Sequence, residues 1–543
     1  MNHTSPSEPV EWLVIGSGPA GTAAAHALVR RGHHVVVMDV GKTLEPARRE
    51  LVVAMSTRSP EEWSAGELEE IIGRRRATTD TVHSKLSYGS GYSFGSSFPD
   101  LDIRWNGGRE GFNHSLAKGG LSNIWGSSLL ANRQQDIADW PVTIEDLAPH
   151  YRAVMDFVPG TGIRDRLEEI LPTYSDQSQP LDPSRQGASL LEDLEQNHQR
   201  LHSSGIRFGR SRLAIRAKSA EGLNPCQHCA LCLSGCPYGL IYSSAQTIDH
   251  LAEKGEITYL RDHLVETFDS AEDEVTVRGN RPSTGDAFTI RAKRVFIAAG
   301  VLPTAMIVLR SLKILDRPVV LADSQYFIYP LLRFKAVPGV DTERMHTAAQ
   351  AFLEVDDPSV SPHLVHMQIY GYSGFLRDEL MRTFLRWPLR SAWFRRQFLG
   401  RLLVAQGFIH SSESGSIHLT LRKSSDDKIH MESKLQPSMN ALATILRLGW
   451  KLLRSTFALR AIPLIPGLKV PNPGSGYHSG GSFPMREKPG ELETDLLGRL
   501  PGHPRVHLVD ASVLPSVPAT SITFSIMANS HRIATAVSES ATS

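Results

Sequence analysis

The sequence predicts an α/β fold built on a Rossmann-like nucleotide-binding unit, and three observations carry that prediction. Near the start, the apolar run Trp12-Leu-Val-Ile15 leads into Gly16-Ser-Gly18-Pro-Ala-Gly21, a small-residue helix and a second strand ending at Asp39. Further on, Arg294-Val-Phe-Ile-Ala-Ala-Gly300 is another strand that ends in small residues and opens a helix. Near the end, Val506-His-Leu-Val-Asp510-Ala-Ser-Val-Leu-Pro515 precedes a long apolar helix. A chain that opens a nucleotide site at its beginning and closes it at its end folds around one ligand.

Each opening element has a mechanical reason. Residues 13 to 15 make a buried parallel strand, and the glycines make the tight turn after it. Gly16 permits the turn, Gly18 lets the backbone approach a pyrophosphate, and Gly21 allows close helix–strand packing. The helix predicted from about Ala20 to Arg31, with Pro19 just ahead of it, points its N-terminal N–H groups at the phosphates. Its small face of Ala20, Ala23, Ala24 and Ala27 suits packing on a sheet. The strand His34 to Met38 then delivers Asp39, where a carboxylate accepts hydrogen bonds from a ribose.

The strand that ends at Ala299 and Gly300 is followed by a helix from about Pro303 to Ser311. Ahead of it, Glu274 to Arg278 and Phe288 to Arg291 read as a β-hairpin whose turn contains Pro282, Ser283 and Gly285. A hairpin crossover set into a nucleotide fold, with a returning C-terminal strand and helix, is the layout of flavoproteins rather than plain dehydrogenases.

With these residues in order, the chain resembles the glucose–methanol–choline oxidoreductases, FAD enzymes that oxidise alcohols. Four segments carry the resemblance and span nearly the whole length. They are the N-terminal glycine motif, Gly119-Gly-Leu-Ser-Asn-Ile-Trp-Gly126, Tyr477-His-Ser-Gly-Gly-Ser-Phe-Pro-Met485 and Asp510-Ala-Ser-Val-Leu-Pro515. The resemblance implies an α/β fold: an FAD-binding Rossmann-like (three-layer ββα) domain with an inserted antiparallel-sheet substrate domain. Residues 1–313 and 477–543 then form the flavin domain and 314–476 the substrate domain. Ala299, Gly300, Asp510 and Ala511 are expected beside the FAD. The loop at Gly119 and Gly120 lies along the flavin, where Ser122 and Asn123 can hydrogen-bond the cofactor. Some sugar-oxidising relatives carry a histidine in this loop that bonds FAD covalently; Ile124 stands there in this chain, which implies non-covalent FAD.

The same resemblance makes His478 the expected catalytic base. Alcohol oxidation needs a group that removes the hydroxyl proton while a hydride leaves the carbon for flavin N5, and an imidazole titrates in the right range. His478, Gly481, Ser482 and Met485 match the family's His-x-x-Gly-Thr-x-x-Met-like motif. The family's usual partner, a histidine or asparagine after the Asp-Ala-Ser-Val segment, is replaced by Ser521, or by a neighbour such as Thr520 or Thr523. A hydroxyl can bind the substrate oxygen but accepts a proton poorly, so His478 carries the base role alone. That departure also keeps a second class open, a flavin-fold protein that performs no oxidation or only binds electron partners.

All four cysteines fall in one run, Cys226-Gln-His-Cys229-Ala-Leu-Cys232-Leu-Ser-Gly-Cys236-Pro237. This C-x2-C-x2-C-x3-C-P spacing matches the bacterial ferredoxin run, in which the fourth cysteine serves a second cluster. No other cysteine exists here, so an iron–sulfur cluster on three or four of these thiols, structural thiols and a zinc site are three readings. A cluster would relay electrons to an external acceptor.

The segment from about 314 to 476 shows strands at Tyr326 to Ala336, Ala349 to Val355, His363 to Tyr372 and Ser416 to Arg422. Between them, Met381 to Val404 interleaves Arg382, Arg386, Arg390, Arg395, Arg396 and Arg401 with Phe384, Trp387, Trp393, Phe394 and Phe398. Such a stretch can lie on an anionic membrane; a helical arm packed on its own protein is the favoured reading. Across the 543 residues a net charge of +1 argues against nucleic acid as a partner. No apolar run of spanning length and no signal peptide occur, so a cytoplasmic setting is expected. The partners expected are a small-molecule alcohol, most plausibly on a sugar or other polyol, and an electron acceptor.

Overall fold

The computed structural model describes residues 8–73, 86–94, 103–106, 114–176, 179–217, 225–374, 376, 391–425 and 427–542. Its first layer is a mixed sheet of seven strands. Val10–Ile15 pairs in parallel with Val35–Met38 on one side and with the long strand Ala287–Ile297 on the other. The first half of that long strand carries the antiparallel hairpin partner Val275–Asn280. Its last three residues take Val506–Leu508 alongside in parallel. One strand therefore joins the parallel sheet, the hairpin crossover and the returning C-terminus. Its inner residues are apolar and fully buried, as a strand covered on both faces requires.

The opening helix is observed at Pro19–Val29 and the predicted helix after Gly300 at Val301–Ser311. The final helix, Ile522–Thr542, packs along the opening helix, where Ser530 Oγ donates to Ala20 O at 2.7 Å. Small side chains at Ala20, Ala23, Ala24 and Ala27 are buried, which lets the layers approach closely.

The second domain is built on a six-stranded antiparallel sheet. Its order is Ala461–Pro463, Tyr326–Arg333, Leu402–Phe408, Val365–Tyr370, Ala351–Val355 and Ile206–Arg210. One face buries Phe327, Tyr329, Leu331, Met367 and Ile369 against the helix Met439–Arg454. The other face turns towards the nucleotide-binding domain. A smaller five-stranded sheet, with Pro318–Asp323, Ser416–Lys423 and Ile429–Gln436 at its centre, bridges the two domains. Two strands come from the N-terminal half: Ile206–Arg210 edges the six-stranded sheet, and Ile103–Asn106 pairs in parallel with Ile429–Gln436. Of the arginine-rich stretch, Arg382, Phe384, Arg386, Trp387 and Arg390 lie outside the described residues, and Ala392–Leu399 is a helix. Among the described residues no helix is long and apolar enough to cross a membrane.

Three histidines meet where the opening helix, the helix Ile144–Met155 and the final helix converge. His150 Nδ1 lies 2.9 Å from His531 Nδ1, and the His26 and His531 rings are 6.2 Å apart. Burial is the main cause that lowers all three, His26 and His150 to about 4 and His531 to about 3, and neighbouring Arg30, Arg31 and Arg532 add to it. The folded state thus holds them neutral, while the unfolded chain protonates them near 6.5. Their contribution is intact above pH 6.5 and is lost as pH falls towards 4, at up to about 1.4 kcal/mol per pH unit for each group. His26 Nδ1 is buried without a partner. His26→Leu is therefore expected to narrow the fall in melting temperature between pH 7 and pH 5, and an unchanged fall would remove His26 from this role.

Candidate active site

A cavity of about 910 Å³ runs between the flavin-type domain and the open face of the six-stranded sheet. At one end its wall is Gly16, Gly18, Pro19, Ala20 and Asp39, the strand–turn–helix unit in the order the sequence predicts. The glycines differ in what they serve. Gly16 has φ +101°, and a Cβ there would stand 2.4 Å from Ala298 O. A Cβ on Gly21 would stand 1.9 Å from Gly16 O. Both are dictated by the fold itself, and Gly21 lies behind the wall. A Cβ on Gly18 would meet nothing in the protein closer than Gly120 Cα at 3.9 Å. Gly18 instead keeps open a cradle at the start of a helix whose first N–H groups have no side-chain cap.

Asp39 closes this end. Its carboxylate accepts from Ser17 Oγ and from Ser17 N at 3.3 Å, with Tyr259 Oη at 3.5 Å. Burial raises it to about 6, and the hydrogen bonds from Ser17, Gly41 and Val40 work against that shift. The 119–126 loop lies beside it. Gly120, Ser122 and Ile124 line the cavity, whereas Gly119 and Asn123 stand behind. Gly119 N donates to Ser17 Oγ at 2.9 Å, which ties the loop to the nucleotide turn. Asn123 staples the loop: its Nδ2 donates to Lys118 O and Gly120 O, and its Oδ1 accepts from Ser243 Oγ. Ser122 Oγ donates to Gly119 O at 2.5 Å and accepts from Ser244 N at 2.9 Å.

Ala299, Gly300, Asp510 and Ala511 form the next stretch of wall. Asp510 is buried, and its Oδ2 accepts from Gly300 N at 2.8 Å and Thr304 Oγ1 at 2.5 Å. Its Oδ1 accepts from Ser512 N at 2.9 Å. The carboxyl thus locks the returning C-terminal segment to the start of the helix Val301–Ser311.

His478 and Ser521 reach the same cavity from two different segments. Tyr477 takes a left-handed φ of +58° ahead of the short strand Ser479–Gly480, and Ser324 N donates to His478 O at 2.9 Å. The imidazole lies against Phe408 with ring centroids 4.3 Å apart and 23° between planes. Burial first, and then the nearby His366, lower His478 to about 3, so its ring is neutral at pH 7. Ser521 precedes the final helix, whose N-terminal positive end faces the cavity through Ile522 and Thr523. Thr520 turns away and donates to Asn132 Oδ1 at 2.8 Å. Thr523 also lines the cavity, while His531 belongs to the helix cluster and His507 Nδ1 donates to Leu497 O at 2.8 Å.

Sequence reasoning missed a second histidine behind the first. His366 and Glu354, cross-strand partners with no exposure, meet at 2.6 Å between Nδ1 and Oε1. Their neighbour in the same row is Phe408, whose ring lies 14° from the plane of His366 and touches His478 on its far side. His366 Nε2 and Glu354 Oε2 are buried without partners. The signal was present as period-two polarity: His366, Gln368 and Tyr370 alternate through a strand whose other positions are apolar. Gln368, Tyr370, Gln406 and Tyr326 complete this wall of the cavity.

The cysteine run forms a loop that reaches the cavity through Leu233. Cys226, Cys229, Cys232 and Cys236 are partly buried against an apolar cluster with Trp63, Leu231 and Tyr238. Burial, reinforced by the neighbouring thiols, pushes Cys229 and Cys236 up to about 12 and Cys226 upwards. Among the described residues no three His, Cys, Asp or Glu side chains are arranged to hold a metal ion, so the loop does not fit the iron–sulfur expectation. Tyr88 Oη donates to Cys236 O at 2.9 Å and Tyr88 N to Ser234 O at 2.6 Å, which pins the loop as a packed element.

A sequence model of the NAD(P)-binding Rossmann-like domain matches residues 14–44, the segment from the first strand through Asp39. No curated protein matches the chain in sequence. Among solved structures, pyridoxine 4-oxidase from Mesorbium loti aligns with 98% of this chain and 99% of its own, at 13% identity and a TM-score of 0.56. The chain therefore has the fold of that solved structure, a Rossmann-like nucleotide-binding domain joined to a domain built on an antiparallel sheet, in line with the fold expected from the four sequence segments.

Proposed function

We propose that the protein is an FAD-dependent oxidoreductase that converts a CH–OH group of its substrate to a carbonyl. The observation that carries this reading is one continuous cavity with a nucleotide cradle at one end and the neutral imidazole of His478 at the other. The residues fit FAD. Gly18 leaves a space that a Cβ would fill, Asp39 offers a buried carboxylate for the ribose end, and Gly120 and Ser122 line the stretch between. Bound FAD supplies the acceptor for the substrate hydride. His478 takes the hydroxyl proton, and its depressed basicity as a buried group rises when a polar substrate and a developing alkoxide stand beside it. Ser521 orients the substrate oxygen. The positive end of the final helix favours negative charge at this wall.

The substrate side supports a hydroxyl-rich alcohol, such as a sugar or polyol derivative. Carboxamides at Gln368 and Gln406 and phenols at Tyr326 and Tyr370 line it, and each can exchange hydrogen bonds with hydroxyl groups. Pyridoxine, the alcohol named for the solved neighbour, belongs in the same panel of candidates. The test is anaerobic mixing of the flavin-loaded protein with polyols, sugar derivatives, pyridoxine and simple alcohols. Bleaching of the flavin band by one of them is expected; if none bleaches a flavin that dithionite reduces, oxidation of alcohols is wrong.

Ser521→Ala separates binding from chemistry. Loss of one neutral hydrogen bond is worth about 0.5–1.5 kcal/mol, roughly a 2- to 10-fold rise in KM. The rate of flavin reduction at saturating substrate is expected to hold within that range, and a collapse of that rate would give Ser521 a larger role.

A further inference from the structure

The helix Met439–Arg454 carries large apolar side chains on its outer side as well as on its buried face. Ala441, Ile445, Leu448 and Leu452 are buried in the sheet core, as a covering helix requires. On its outer side Met439 is 80% exposed, Leu442 38%, Leu446 39% and Trp450 59%. Their spacing of three, four and four residues puts them in one stripe about 16 Å long. Phe457, 74% exposed on the next short helix, extends the stripe to Phe334, whose ring it meets edge-on at 5.8 Å. Trp393, 73% exposed, stands on the helix that enters the adjoining strand. Monomeric soluble surfaces seldom gather large apolar side chains this way without a purpose.

Charge identifies the occupant. Between Glu432 and Glu487 the chain has no acidic residue and seven lysines and arginines, although the whole chain is nearly neutral. Arg447 and Lys451 face inwards to Glu413 and Asp357. Among the described residues Arg454, Arg460 and Lys469 have no carboxylate partner, and Arg460 sits over the Phe334 ring at 5.6 Å. A second copy of this surface would bring like charge against like charge. Exposed tryptophan and phenylalanine among unpaired basic groups match the interface of an anionic bilayer instead.

We infer that this stripe, from Met439 to Phe457 with Phe334, docks the protein on anionic membrane surfaces. The same stretch of chain continues to Lys469 and Val470, which are exposed and also line the cavity. If the alcohol oxidation proposed above holds, a substrate that partitions into the interface is favoured; docking itself stands without it.

Flotation of the intact, flavin-loaded protein with vesicles tests the inference. Binding is expected to vesicles of phosphatidylcholine with 30 mol% phosphatidylglycerol, composition set so that surface charge dominates, and to weaken in high salt (about 0.5 M). Pure phosphatidylcholine vesicles should bind at least about tenfold less. Leu446→Glu/Trp450→Glu should lose binding by a similar factor while keeping its flavin content and melting temperature. Met439→Glu/Phe457→Glu provides a second variant on the same stripe should the first fail to fold. Absence of binding to the charged vesicles overturns the inference, as does binding that neither variant weakens. A concentration-dependent dimer that the substitutions dissociate, without vesicle binding, would assign the stripe to a second copy and overturn it equally.

Discussion

His478→Ala is expected to leave FAD bound and to slow its reduction by the alcohol by about 10²- to 10⁴-fold, the usual worth of a positioned general base. The side chain is held by stacking on Phe408 and by its backbone, and its Nδ1 is buried with no hydrogen-bond partner among the described residues. Removing it should therefore cost chemistry rather than fold. Stopped-flow reduction of the bound flavin reads the step directly, and an unchanged rate removes His478 from the base role.

The pH profile adds a second check on the same residue. A solvated histidine would lose its free base below about 6.5, and the rate would fall with it. In the unliganded protein His478 is lowered to about 3 by burial, so its neutral form persists through pH 5 and kcat/KM for flavin reduction is expected to stay level between pH 8 and 5. Glu354 and His366 sit behind Phe408 and set part of that environment. His366→Phe removes the second cause that lowers His478 and should shift the acid limb of the profile upwards, whereas a residue with only a packing role would leave the limb in place.

How far the sequence could be read depended on whether a constraint is local. The turn at Gly16, the helix after it and Asp39 obey rules that act within about 25 residues, and residues 14–44 fold accordingly. The strands at Tyr326, Ala351, Val365 and Ser416 showed their own alternation and lie where it placed them, within a few residues. Pairing partners had no such signal. Nothing near Ile206 marks it as the edge of a sheet formed mainly by residues 326–463, because edge pairing is decided by backbone groups of a distant strand. Likewise Asn123 reads as a cofactor ligand in isolation, but Ser243, far along the chain, supplies the hydroxyl that occupies it. Met439–Arg454 shows the opposite case: Ala441, Ile445, Leu448 and Leu452 recur at helical spacing and form its buried face, a local pattern that marks a surface helix.

Gly18→Leu separates a glycine that serves the ligand from glycines that serve the fold. At Gly21 a new Cβ would stand 1.9 Å from Gly16 O, so Gly21→Val must push the helix off the strand and is expected to destabilise the domain outright. At Gly18 the protein leaves room, with Gly120 Cα at 3.9 Å as the nearest atom and a backbone φ of −66° that leucine adopts freely. The apoprotein should fold with unchanged secondary structure and melting temperature. What the leucine fills is the cradle at the helix N-terminus, where a pyrophosphate would make its closest approach to the backbone. Overpacking a rigid site costs about 1–3 kcal/mol, roughly a 5- to 150-fold loss of FAD affinity. Purified Gly18→Leu should therefore be colourless and take up FAD weakly on titration. Full flavin occupancy would mean that the cofactor lies elsewhere in the cavity and that Gly18 answers to some other need. A colourless protein that is also unfolded would mean that the space seen beside Gly120 closes during folding, and the mild variant Gly18→Ala then becomes the deciding measurement: its single methyl group fits the 3.9 Å clearance, so it should fold yet still bind FAD less tightly than the parent.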